Sequence, residues 1–120
     1  MFTIKDNAIS PFRNQFVRAE KHFDGAHIEA QRQGAAHLHS SVLDAAEDAG
    51  VPTEPIGVFW EKGEAYVGIA RTEEGDQVAD MEYGTPEGDA PSPVLRAAHR
   101  AGLPQAKAHY AHTLIRELGF

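Results

Sequence analysis

Cysteine is absent from the 120 residues, so the chain has neither disulfides nor thiolate metal sites. That usage suits a reducing compartment. Positive charge is also scarce: 11 Lys and Arg stand against 18 Asp and Glu, a formal net charge of −7. A surface of that sign does not wrap nucleic acid, because phosphate binding needs basic side chains to release counterions. No run reaches the ~18 apolar residues of a membrane span. The opening stretch MFTIKDNAIS has neither the apolar core nor the basic flank of a secretion signal, so a soluble protein used without secretion is expected.

Catalytic patterns are missing too. No Ser sits in a G-x-S-x-G turn, and GTPEGD lacks the Lys and following Ser/Thr of a phosphate-binding loop. The many carboxylates fall in segments that read as exposed, where they form a solvated acidic surface and not a matched acid–base pair. We therefore expect no enzyme and no cofactor.

What is present fits one α+β domain over residues 1–120. Residues 10–50 read as helical. Ser10-Pro11 has the form of an N-cap and first-turn pair. Apolar residues then recur in steps of three and four: Phe12, Phe16, Ala19, Phe23, Ala26, Ala30, Gly34, Leu38, Val42, Ala45 and Ala49. Gly25 leaves open whether this is one long helix or two, and Gly50 with Pro52 closes it.

Residues 56–83 read as a three-stranded antiparallel meander. A Lys62-Gly63 turn pairs Trp60 with Ala65, Val58 with Val67 and Ile56 with Ile69. A second turn at TEEGD pairs Ile69 with Ala79, Val67 with Met81 and Ala65 with Tyr83, on the same apolar face. A stiff acidic loop follows over 84–92. Residues 93–118 form a helix that Ser92-Pro93 opens and that Gly102 and Pro104 interrupt or bend, with Leu95, Ala98, Ala106, Tyr110, Leu114 and Leu118 as its buried stripe.

Seven histidines invite a metal reading. His109 and His112, at i and i+3, share a helix face, but a structural zinc needs about four ligands and no neighbouring group supplies the rest. Surface or interface histidine is the simpler reading. The short basic stripe Arg13, Arg18 and Lys21 reads as a solvated helix face.

The segment MEYGTPEGDAPSPVLRAAHRAG resembles the C-terminal signature of a family of tailed-bacteriophage virion proteins, the small neck, head–tail joining or tail-completion proteins. An aromatic-Gly-Thr triplet (Tyr83, Gly84, Thr85) is followed by a proline loop (Pro86, Pro91, Pro93) and an apolar-Leu-Arg helix start (Leu95, Arg96). The layout of long helix, strands and final helix is also similar. The chain differs from many members in lacking a Pro-x-Asp-Thr-Gly segment near VPTEPIGVF and in placing Val94 where an aromatic is common.

The resemblance implies a structural virion protein, assembled in the host cytoplasm, that forms a homo-oligomeric ring of sixfold or twelvefold symmetry. Its partners would be neighbouring connector and tail proteins. Genomic DNA would pass through without being held, and no membrane would be involved. In that setting the named motif residues are interface candidates, and Glu73, Glu74, Asp76, Glu87 and Asp89 would face the channel or solvent and repel phosphate. Alternatives of other classes are a small metal- or ligand-binding domain using His109 and His112, or a regulator that captures a host protein with its amphipathic N-terminal helix.

Overall fold

The computed structural model describes the backbone of residues 6–119 and side chains from residue 20 onward. In chain order it contains α1 (Asp6–Asp48), β1 (Ile56–Glu61), β2 (Glu64–Ile69), α2 (Glu73–Tyr83) and α3 (Leu95–Glu117). The α+β class stands, but the three-stranded meander does not: the sheet has two strands among the described residues.

α1 is one uninterrupted helix through Gly25. Its described span runs from Asp6, so it extends upstream of the expected start at Ser10-Pro11, and the Ser10 side chain lies outside the described residues. Its buried positions are Ala26, Ala30, Gly34, Leu38, Val42 and Ala46, a strict four-residue step. The expected stripe holds from Ala26 to Val42: Phe23 is exposed, the side chains of Phe12, Phe16 and Ala19 lie outside the described residues, and past Val42 the stripe shifts, because Ala46 is buried while Ala49 is exposed. The helix ends as the glycine and proline suggested. Gly50 takes φ +73°, its N–H bonds the Glu47 carbonyl, and the Val51 N–H reaches back to the Ala46 carbonyl at 2.8 Å. These are the paired bonds of a Schellman stop.

α1 packs chiefly against α3. Their seam is built from small residues. A Cβ on Gly34 would lie 3.0 Å from the Ala106 carbonyl oxygen, and one on Gly102 would lie 3.1 Å from Ser41 Cβ. The two backbones therefore approach closely, and Leu38, Val42 and Ala46 join Val51, Ile56, Val78, Leu95 and Ala106 in the core. On the solvent side of α1, Glu29 accepts hydrogen bonds from Gln33 and Arg32, which hold its carboxyl below the usual range. α3 passes through Gly102 and Pro104 without a break.

The first hairpin has the expected register, Ile56↔Ile69 through Glu61↔Glu64. Lys62 (φ +51°) and Gly63 (φ +79°) form its turn, and positive φ at both is what a primed two-residue turn demands. Ile56 is buried, and Val58, Ala65, Val67 and Ile69 are half-buried.

The expected third strand is α2. Thr72 accepts a hydrogen bond from the Gly75 N–H at 3.0 Å, and Glu73, Glu74 and Asp76 place negative charge at the positive end of the helix. Buried Gly75, Val78 and Glu82 follow helical spacing. The alternation of Ala79, Met81 and Tyr83 that suggested a strand carries little burial, since Met81 is 42% and Tyr83 60% exposed. The pairings of Ile69, Val67 and Ala65 with those residues do not occur, and no third strand lies beside β2 among the described residues.

Gly75 sits directly against the chain that enters α2: a Cβ there would fall 1.8 Å from the Ala70 carbonyl oxygen. Gly25 has open space around the same position. In urea unfolding, Gly75→Ala should lose about 2 kcal/mol or more through forced backbone movement. Gly25→Ala should gain about 0.5–1 kcal/mol from helix propensity. The two midpoints should move in opposite directions.

Candidate functional site

The residues of the MEYGTPEGDAPSPVLR segment converge at the junction of α2 and α3, around Glu82, one of the carboxylates in segments that read as exposed. Glu82 is 2% exposed. It is the last inward position of α2, and its carboxylate meets the N-terminus of α3. Oε2 accepts from the Val94 N–H at 3.1 Å, and Oε1 accepts from the N–H groups of Leu95 and, at 2.9 Å, Arg96. The cap position itself, Val94, has no side-chain cap bond. Glu82 thus replaces the local cap expected from Ser92-Pro93, satisfying otherwise orphaned helix donors from 12–14 residues away. Its charge also meets the positive end of the helix.

Arg96 closes the junction from outside. Its Nη2 donates to the Glu82 carbonyl at 3.0 Å, and its guanidinium carbon lies 4.6 Å from the centre of the Tyr83 ring. A planar cation over an aromatic face is favourable even when partly exposed. Tyr83, Leu95 and Arg96 are therefore brought together.

The loop between them is folded on itself. Gly84 has φ +83°, and a Cβ there would lie 2.7 Å from the Asp89 carbonyl oxygen, so two independent constraints require glycine. Thr85 Oγ1 donates to the Asp89 carboxylate and accepts the Asp89 N–H, both at 3.2 Å. The Ser92 N–H bonds the Met81 carbonyl at 2.8 Å. Pro86, Pro91 and Pro93 are exposed along this loop, where fixed φ reduces the freedom of the unfolded chain.

The acidic candidates separate into two groups. Glu73, Glu74 and Asp76 occupy the first turn of α2, beside Glu54; Glu87 and Asp89 lie past its other end, with Asp80 near Asp89. Glu74 is half-buried and the other four are exposed.

His109 and His112 do not converge on a common site with further ligands. The His109 ring stacks against His37 of α1 at 4.3 Å between centroids, and His37 bonds Gln105 at 3.0 Å. Among the described residues, no three His, Cys, Asp or Glu side chains gather as a metal site. The sequence does not single out Glu82. Glu82 lies seven residues after Gly75 and four after Val78, on the buried stripe of α2, but a stripe of glycine, valine and glutamate carries no apolar signal in the sequence.

Compared with protein-family models, with curated proteins and with solved structures, the chain matches none.

Removing the Glu82 carboxylate should be costly. Glu82→Ala leaves three N–H groups at the junction without an acceptor, a loss of about 3 kcal/mol measured by chemical denaturation. Arg96→Ala, which leaves the cap in place, should cost less than a third of that. Equal losses would mean that the guanidinium, and not the cap, holds the junction.

Proposed function

We propose that this chain is a structural protein of a tailed-phage virion, forming a homo-oligomeric ring at the head–tail connector or the upper end of the tail, with no catalytic role. The observation that carries the reading is excess surface. A compact monomer of 13.1 kDa exposes about 6,400 Å², whereas this one exposes 8729 Å². Its radius of gyration is 20.6 Å, against about 14 Å for a compact domain of this length. The surplus exceeds what a standard protein–protein interface covers, roughly 1,600 Å².

The composition of that surface supports the same reading. Phe23, Trp60, Tyr66, Tyr83 and Ile115 are each at least 44% exposed. Beyond the Ile56 carbonyl, which bonds His39, the outer edge of β1 has no strand beside it among the described residues and lends itself to pairing across subunits. The loop over 84–92 is pre-shaped by Gly84, Thr85 and its prolines, so little freedom is lost when it docks. Tyr83, Gly84, Thr85, Pro86, Pro91, Pro93, Leu95 and Arg96 form the contact region in this reading. The acidic residues at both ends of α2 face the channel or solvent, where they repel phosphate over a Debye length of about 8–10 Å.

Native mass and symmetry of the purified protein test this directly. A cyclic assembly of six or twelve copies is expected, and a strict monomer at tens of micromolar, together with absence from mature particles, would overturn it. Within an assembled ring, neutralising Glu73, Glu74, Asp76, Glu87 and Asp89 to their amides should leave the mass unchanged and alter DNA retention or ejection. Dissociation on neutralisation would make these residues interface instead of lumen.

A further inference from the structure

The hairpin lies on α1 so that β2, and not β1, borders the space between α1 and α3. Two continuous hollows there are floored by Leu38 and Val42 and walled by Val67 on one side and Leu103 on the other. The register decides which backbone groups face this groove. With a two-residue turn, Glu61↔Glu64, Phe59↔Tyr66 and Gly57↔Gly68 exchange ladder bonds, so the N–H and C=O of Ala65, Val67 and Ile69 point away from β1.

Part of that edge is already occupied. Gln31 of α1 donates to the Gly63 carbonyl at 3.0 Å and accepts the Ala65 N–H at 3.0 Å. A carboxamide bonding one carbonyl and one N–H of a strand edge does what a peptide unit of an adjoining strand would do. The amide is held in this sense by both backbone partners. Its remaining hydrogen then points to His27 Nε2 at 3.1 Å, leaving His27 Nδ1 to donate to Tyr110 Oη at 2.7 Å. The tip end of β2 is thus anchored to both helices. Beyond it, the Val67 N–H and C=O have no partner among the described residues.

The opposite wall carries the second signal. α3 bears Arg96, Arg100, Lys107 and Arg116 against a single acidic residue, Glu117, in a chain of net charge −7. Arg96, Arg100, His99 and Lys107 all border the groove. A strand edge with open hydrogen bonds, an apolar floor and a basic far wall define one kind of occupant.

We infer that this groove is a strand-accepting site for an acidic, extended segment of a different polypeptide, which adds to β2 beyond the Gln31 clamp. Alternate apolar residues of the segment lie over Leu38 and Val42, its backbone bonds Val67 and Ile69, and its carboxylates meet Arg100 and Lys107. The inference stands apart from the ring reading, since it concerns the single chain whether or not it assembles.

The test uses a blocked hexapeptide of alternating Val and Glu, titrated into the full-length labelled protein and followed by backbone amide shifts. The Val67–Ile69 amides should shift and gain exchange protection. Lys in place of Glu, or N-methylation of alternate peptide bonds, should weaken binding at least tenfold. Arg100→Glu with Lys107→Glu, both exposed positions outside the core, should do the same while leaving the free protein's spectrum otherwise intact. Absence of shifts at millimolar peptide, or binding indifferent to N-methylation or to charge, overturns the inference. So does protection of the Val67 amide that rises with protein concentration alone, which would assign the edge to a second copy.

Discussion

The Glu82 carboxylate joins two helices that otherwise have no local reason to meet. α2 is short, at 11 residues, and its main contact is with β2. α3 begins without a side-chain cap of its own. A buried carboxylate at the end of the first accepts three N–H groups at the start of the second, so the end of one helix becomes the cap of the next. Every other feature of the junction follows from that bond set. Gly84 must turn sharply to free the chain from α2, the loop must return over residues 84–94, and Arg96 is left beside Tyr83. Burying a carboxylate is tolerable here because it gains several directed donors and the positive end of a helix at once.

A second constraint acts on the long seam. α1 and α3 touch through glycine and alanine, with Leu38 and Val42 supplying most of the apolar bulk. Such a seam buries little area per residue, and a two-stranded hairpin covers only part of α1. The chain therefore folds around a thin core and leaves an unusual share of its aromatic residues at the surface. The two properties share one cause: small residues at the seam let the backbones approach closely, and they leave little apolar bulk to cover the exposed rings.

Much of this was legible in the residues. The hairpin register followed from Lys62-Gly63 and the apolar alternation around it, because a tight turn and a one-sided pattern admit a single pairing. The end of α1 followed from Gly50. The third strand was misread because Ala79, Met81 and Tyr83 alternate as a strand would, while the helical stripe of Gly75, Val78 and Glu82 consists of a glycine, one valine and a glutamate. No hydropathy pattern marks such a stripe. The stronger sign was Thr72 followed by three carboxylates, a helix start in which Gly75 obscured the run. The motif residues Tyr83, Leu95 and Arg96 lie together at the junction, but their centre, Glu82, has no signal in the sequence, since nothing local announces that a carboxylate will cap a helix a dozen residues on.

The length of α1 has a mechanical consequence. At 43 residues it is a rod of about 64 Å, and among its described side chains, from Glu20 onward, the buried stripe begins at Ala26. A load applied at the exposed stretch from Glu20 to Gly25 acts as a lever on the stretch between Ala26 and Ala46, where resistance comes from closely seated small residues instead of interlocking bulky ones. A modest pivot about Gly34 and Gly102 would sweep the far tip through a much larger arc. The seam thus sets the stiffness of the whole rod.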